Sequence, residues 1–279
     1  MRRARPALRV FAAAALKEWR IRRRYPGFLT AVLLYPLLLP FMYVLQAYGF
    51  SGHSAQALAA FQQRTGTVQL AGFLYVGGAM YMWVSIMLWG PGVALQEERV
   101  RGTLEQVFAS PASRFSILFG PMPVHVVQTL WLFLVVFAAL KVVFQVPVGP
   151  ADALRTLAVI AIAMPSLVAV GALFAALVVR LRDVGGAAQA ARGLFQLLCG
   201  MTFPIVVLPG WARALSLALP PTYVIADIRQ TLLAGAALAA LVPDFLVLVG
   251  LAVILGLLSV RAFRATERSG RMAGSLGQY

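Results

Sequence analysis

The residues of this chain best spaced for a specific task lie between Gln96 and Phe115. Thr103-Leu104-Glu105-Gln106 fits a capping box, T-x-x-Q, in which the Thr103 hydroxyl accepts from the Gln106 amide while the Gln106 side chain reaches back. Leu104, Val107 and Phe108 then fall at i, i+3 and i+4, one apolar stripe on a short helix. Pro111 ends it, because Ser110, preceding a proline, is pushed out of the α region. The spacing predicts a short, capped, amphipathic helix with Glu97, Glu98 and Arg99 beside it, a charged island between two apolar runs. The pattern alone offers an apolar stripe with charged flanks, held between membrane spans. A solvated helix of no special purpose is the other reading of the same pattern.

Reactive chemistry is missing elsewhere. The sequence has no G-x-x-x-x-G-K-[ST] phosphate loop and no H-E-x-x-H zinc motif, and no Ser stands in a G-x-S-x-G elbow. His53 and His125 are far apart and there is no Cys/His cluster, so no metal site is expected. The single cysteine, Cys199, cannot form an intrachain disulfide and lies in an apolar run, as a buried structural thiol does. No catalytic residue and no cofactor are assigned to this chain.

Composition says what surrounds the island. Only 12% of the 279 residues are charged and mean hydropathy is +0.84, against about 25% charged residues in soluble domains. The chain reads as an integral membrane protein. Six apolar runs follow in order: Phe28–Tyr48, Leu70–Leu95, Phe115–Leu140, Thr156–Val179, Gly193–Leu208 and Phe245–Val260, none with Asp, Glu, Lys or Arg in its core. A span needs about 20 apolar residues; the fifth run reaches that by extending back over Ala187–Ala191 and the sixth by starting at Leu241. Helices are required, since lipid offers unpaired backbone no partner. Nineteen of the 24 basic residues then fall on one side: the nine of the N-terminus, Arg99, Arg101, Arg114, Arg180, Arg182, Arg192 and four near the C-terminus. By the positive-inside rule both termini and the Gln96–Phe115 loop face the cytoplasm. The net charge of +15 is therefore a topology signal, and a nucleic-acid partner is not expected.

Two flanking elements stand out. Residues 1–27 are strongly basic, and Leu8, Phe11, Leu16 and Trp19 share one helical face, the pattern of an amphipathic helix lying in the membrane interface among anionic headgroups; a plain juxtamembrane positive patch is the alternative. A signal peptide fits poorly, because the next apolar run is longer than an h-region. Between the fifth and sixth runs, Pro209-Gly210-Trp211 opens an apolar but broken segment, in which Ala212–Leu219 and Thr222–Ala234 can each form a short helix about Pro220-Pro221. Asp227 and Arg229 are costly in lipid, and Trp211 and Tyr223 suit an interface, so a re-entrant outer helix pair is preferred over an ordinary loop. The expected fold is an all-α membrane protein of one domain, 1–279: the interface helix (1–27), a six-span bundle (28–260) and a cytoplasmic tail (261–279).

Glu98-Arg99-Val100-Arg101-Gly102-Thr103-Leu104-Glu105-Gln106-Val107-Phe108-Ala109-Ser110-Pro111 resembles the E-R-x-x-G-T-L-E-x-L-x-x-S-P signature of the type-2 ABC exporter permeases, with Val107 where Leu is commoner. The basic N-terminal helix, the six runs and the proline-rich outer pair extend the resemblance over nearly the whole chain. It implies a permease subunit of the bacterial cell (inner) membrane that works with a second permease subunit and with a separate ATPase subunit carrying ATP and Mg. It also implies that the loop helix docks on that ATPase: Leu104, Val107 and Phe108 in a groove, Glu97, Glu98, Arg99 and Glu105 in charged contacts, Gly102 at the turn and Thr103 at the cap. The family exports drugs, antibiotics, lipids and polysaccharides; the uncharged spans and short outer loops favour a hydrophobic or amphiphilic substrate, with a lipid-linked polysaccharide next. An ion-coupled secondary carrier needs a mid-membrane coupling group, for which only His125 is available, and a non-transporting membrane anchor would not need the loop helix.

The orientation is testable. In a Cys199→Ser background, Glu105→Cys should react with a membrane-impermeant thiol reagent only after the cytoplasmic face is opened; labelling in intact cells would reverse the topology.

Overall fold

The computed structural model of the protein describes residues 4–51, 55–65, 69–100, 120–178 and 184–272. Among these residues the chain is all helix, with no strand. We number the helices α1 (Ala4–Arg24), α2 (Pro26–Ser51), α3 (Ala55–Thr65), α4 (Leu70–Val100), α5 (Met122–Val142), α6 (Pro150–Val178), α7 (Val184–Leu198), α8 (Gly210–Leu217), α9 (Pro220–Ala234) and α10 (Val242–Met272). Five segments are long and apolar enough to cross a membrane: Pro26–Gly49, Leu70–Gly90, Met122–Val142, Pro150–Val178 and Leu238–Ala265.

Helix α4 is the axis of the bundle. It packs against α2, α5, α6, α7 and α9, and Tyr75, Val76, Ala79, Met80, Trp83, Met87 and Leu88 are shielded almost completely. Trp83 meets Phe133 of α5 edge-on, with ring centroids 5.1 Å apart. On the far side α6 buries a series of small residues, Ala163, Ala169, Gly171, Ala172, Ala175 and Ala176, which permits the close helix approach on which packing in lipid depends; its most extensive partner is α10. Helices α2 and α10 instead leave Leu33, Leu34, Leu38, Leu246, Val253 and Leu257 exposed. For a chain that spans a bilayer, lipid is the natural solvent of such faces.

Two prolines inside α2, Pro36 and Pro40, each lack the amide that would serve the carbonyl four residues back. Both freed carbonyls find donors on neighbouring helices. The Trp131 indole N–H donates to Val32 O (3.0 Å) and the Tyr75 hydroxyl to Pro36 O (3.0 Å). The proline kinks thus tie α2 to α5 and α4.

The fifth apolar run departs from the expectation of one continuous helix. Helix α7 has only 15 residues and stops at Leu198, where the chain turns through Gly200 at φ +72° and then meets Pro204. A left-handed glycine closes a helix readily, and a proline holds the residue before it extended. At about 1.5 Å per residue α7 spans about 22 Å, short of the roughly 30 Å hydrocarbon core. The chain then makes a 3-10 turn, Ile205–Val207, and forms the outer pair α8 and α9. Both helices of that pair agree with the sequence reading, and Pro220 and Pro221 open α9 within its first turn, where a missing amide costs nothing.

The turn after α7 presses on α4. A Cβ on Gly77 would stand 1.7 Å from Met201 O, so only glycine lets that backbone approach. Gly77→Ala should lower stability by about 2 kcal/mol, as overpacking of a tight contact does. Gly250→Ala, which meets nothing within 4 Å, is the control; equal midpoints of thermal unfolding in detergent for the two variants would remove this contact from the account.

Candidate functional site

Two constellations of polar groups interrupt the apolar interior. The first lines a cavity of about 370 Å³ between α1, α2, α4, α5 and α7, toward the end of the bundle where α1 lies. Its walls are largely aromatic and aliphatic, with Tyr35, Tyr81, Trp89 and Trp131 among them, and its polar groups are Arg22, Ser85, His125, Gln128 and Arg192. Arg22 is matched: it pairs with Glu18 one turn earlier, donates to Gln128 Oε1 at 2.9 Å and lies 5.0 Å from the Phe28 ring centre. Arg192 is not. Its Nη2 donates to Gln189 Oε1, its Nη1 stands 3.5 Å from Ser85 Oγ, and its Nε is buried without a partner. The guanidinium faces the Tyr81 and Trp89 rings at 5.2 and 6.0 Å, and no carboxylate pairs with it among the described residues. His125 is 3% exposed, and neither ring nitrogen has a hydrogen-bond partner. It sits directly on Gly90 of α4, whose Cβ, if present, would fall 2.5 Å from Nε2.

The second constellation holds the outer pair to the bundle. Arg229 of α9 donates to three backbone carbonyls: from Nε and Nη2 to Phe73 O (3.2 and 2.9 Å), from Nη1 to Gly200 O (2.7 Å) and from Nη2 to Met201 O (2.9 Å). Its Cζ lies 3.3 Å from the centre of the Phe73 ring. Thr231 of α9 and Thr156 of α6 join by their hydroxyls at 3.0 Å. At the junction of α8 and α9 the Thr222 hydroxyl donates to Ser216 O (2.6 Å), and Tyr223 donates to Leu217 O (2.9 Å). Asp227 is wholly buried, and neither carboxyl oxygen has a hydrogen-bond partner. Burial, reinforced by the Asp244 carboxyl at the start of α10, pushes its pKa up to about 8. At neutral pH it is therefore held mainly as the acid.

These groups can bind and brace, and they form no nucleophile–base pair and no metal-ligand cluster among the described residues. The sequence matches the family model of the ABC-2 type transporter over residues 9–233. This chain belongs to that family. It is the membrane permease of an ABC transporter, a multi-pass membrane protein whose ATP hydrolysis is carried by a separate subunit. Among curated proteins no relative matches it.

The sequence-predicted sites of this ABC-2 permease fare differently. Glu97, Glu98 and Arg99 fall in the last turn of α4, with side chains outside the described residues; Gly102, Thr103, Leu104, Glu105, Val107 and Phe108 lie outside them altogether. In α1, the Leu8 side chain is likewise undescribed, Phe11 is half-buried, and Leu16 and Trp19 are each 47% exposed. In the outer pair, Trp211 stands 69% exposed while Asp227 and Arg229 turn into protein, the arrangement that spares them lipid. The cavity was not anticipated as a site. Its signals were present, however: His125 is the one histidine within an apolar run, and Arg192 is the one basic residue beside the fifth.

The raised Asp227 pKa sets a pH dependence. A carboxyl more basic in the folded than the unfolded state contributes stability that is complete below the unfolded value, about 4, and is lost as pH rises through about 8. Thermal stability in detergent should therefore fall across that window, and Asp227→Asn should flatten the decline. The same slope in both proteins would mean that Asp227 does not titrate as described.

Proposed function

We propose that this permease is one half of an exporter that moves a hydrophobic or amphiphilic substrate, a drug, antibiotic or lipid, out of the cytoplasm or inner leaflet. It pairs with a second permease subunit and draws its energy from ATP and Mg on the partner ATPase. Both termini and the loop after α4 face the cytoplasm of a bacterial inner membrane, and the chain supplies six membrane-crossing passes, the fifth made by α7 and the turn that follows it, with the outer pair re-entrant at the outer interface before the sixth. The capped helix at 103–110 is the element that docks on the ATPase.

The observation that carries this reading is the length of α4. Its 31 residues span about 46 Å, well beyond the roughly 30 Å of a bilayer core. The helix therefore carries Glu97, Glu98 and Arg99 past the apolar run, through Gly90-Pro91-Gly92. The capping-box stretch begins three residues after it ends. A helix that leads out of the span to a recognition motif is what a subunit without its own phosphate loop needs. The uncharged spans favour an apolar or amphiphilic cargo, and the exposed apolar faces of α2 and α10 are available to lipid and to a second permease.

Phe108→Ala should cost about 2 kcal/mol of docking, as loss of a buried aromatic anchor does, or roughly 30-fold in affinity for the ATPase. Thr103→Ala should cost about 1 kcal/mol by removing the cap. Both variants should insert normally, and Phe108→Ala should lose its ATPase on purification and cease ATP-dependent transport in vesicles. Wild-type recovery of the complex and of substrate-stimulated ATP hydrolysis in Phe108→Ala, Glu98→Lys would reduce the helix to a solvated loop. Transport by the permease alone, abolished by uncoupler, would favour an ion-coupled carrier.

A further inference from the structure

We infer that the cavity between α1, α2, α4, α5 and α7 is a binding site for the anionic head of an amphiphile, a phosphate ester whose alkyl chain runs out along α2. The inference deepens the exporter reading by adding a charge to the cargo class, and it rests on that reading only for the ligand's fate. Three observations carry it.

First, the cavity holds unmatched donors. Arg192 is a cation without a carboxylate among the described residues, its Nε is buried and unserved, and its neighbour Ser85 stands at the edge of hydrogen-bond reach. A buried donor without an acceptor is destabilising, the more so when it carries a charge. An anion with several oxygens removes that cost and takes charge-assisted hydrogen bonds in return. Second, His125 faces the same space, buried and without a partner on either nitrogen. Its seat against Gly90 turns Nε2 onto the α4 backbone, which leaves Nδ1 as the nitrogen that can carry the proton and donate to a phosphate oxygen. Third, the remaining walls are apolar and aromatic, and on the α2 side they include Tyr35 and Leu39, which are themselves exposed at the bundle surface. A free inorganic anion would leave that surface empty, whereas an alkyl chain covers it. The adjoining helix α1 brings further positive charge through Arg20, Arg23 and Arg24, which draws anionic headgroups toward this end of the bundle.

The phosphate ester has two possible sources, a resident bilayer phospholipid and a transported cargo, and one experiment addresses both. Full-length permease, stripped of lipid in a neutral maltoside detergent, is titrated with dodecyl phosphate and with inorganic phosphate. Dodecyl phosphate should saturate one site per chain and bind at least tenfold more tightly than inorganic phosphate. Arg192→Gln should weaken it on the order of tenfold, the effect of losing hydrogen bonds to a charged group, and Arg192→Lys should restore part of the loss. Ser85→Leu, which narrows the cavity and leaves the cation in place, is a second variant and should weaken it as well. Equal affinity in wild type, Arg192→Gln and Ser85→Leu would overturn the site. Equal affinity for inorganic phosphate would overturn the amphiphile and leave a simple anion site.

With the partner ATPase added, a cargo should stimulate ATP hydrolysis and lose occupancy in ATP. A resident lipid should be competed by phosphatidylglycerol and ignore the nucleotide. Because binding is measured without the ATPase, lost binding with intact ATP-driven export would sink this site alone. Intact binding without ATP-coupled transport would sink the exporter reading alone.

Discussion

A carbonyl oxygen freed from its helix inside an apolar medium must find a donor, and the fold of this permease depends on where those donors come from. Water is absent at that depth, and an unserved buried acceptor costs about 1–3 kcal/mol. Pro36 and Pro40 release Val32 O and Pro36 O in α2, and Trp131 and Tyr75 answer from α5 and α4. The break after α7 releases Gly200 O and Met201 O, and one guanidinium, that of Arg229, answers both together with Phe73 O. Each irregularity in the backbone is thereby turned into a fastening between elements distant in sequence. Prolines and a left-handed glycine, which weaken a helix in isolation, here specify which helices meet.

Arg229 and Arg192 show how differently the same side chain can be used. Neither is paired with a carboxylate among the described residues. Arg229 is fully occupied by backbone acceptors and an aromatic face, so its charge is dispersed into local dipoles and its role is to hold the outer pair against α4. Arg192 has one side-chain acceptor, one distant hydroxyl and two rings, with a nitrogen left over. A guanidinium that is saturated braces a fold; one that is not keeps capacity for something else.

The helical runs were legible in the sequence because lipid imposes length and apolarity one segment at a time. Five of the six runs coincide with helices long enough to cross, and the outer pair was legible from Pro209, Pro220 and Pro221, which leave few other ways to arrange the chain. The break in the fifth run was not, since hydropathy counts Gly200 and Pro204 as tolerable residues, and only the left-handed φ at Gly200 and the pressure of Met201 O on Gly77 show that the helix must stop. The cavity escaped for a related reason. Arg22, His125 and Arg192 are separated by about a hundred and by 67 residues in the chain, and no local pattern reports that three helices bring them to one place. That Gly77 admits a carbonyl and Gly90 an imidazole is information held by their neighbours and not by the α4 sequence.

What joins these features is that they all sit on α4. Phe73 and Gly77 receive the outer pair, Tyr75 serves the kink in α2, Trp83 anchors α5, and Ser85, Trp89 and Gly90 form a wall of the cavity. All lie on one helix, which continues through Gly90-Pro91-Gly92 to Glu97, Glu98 and Arg99. At Gly77 and Gly90 the neighbours touch the backbone itself, so α4 has no flexible side chain there to absorb a displacement. A force applied beyond Val100, where the proposed ATPase contact lies, passes through Gly90-Pro91-Gly92, where the helix lacks one amide donor, to a helix that bears on the cavity and the outer pair alike. Packed interfaces of this kind shift between discrete arrangements and deform little in between, which is the mechanical property a transporter needs if one docking event is to alter access at two depths of the membrane.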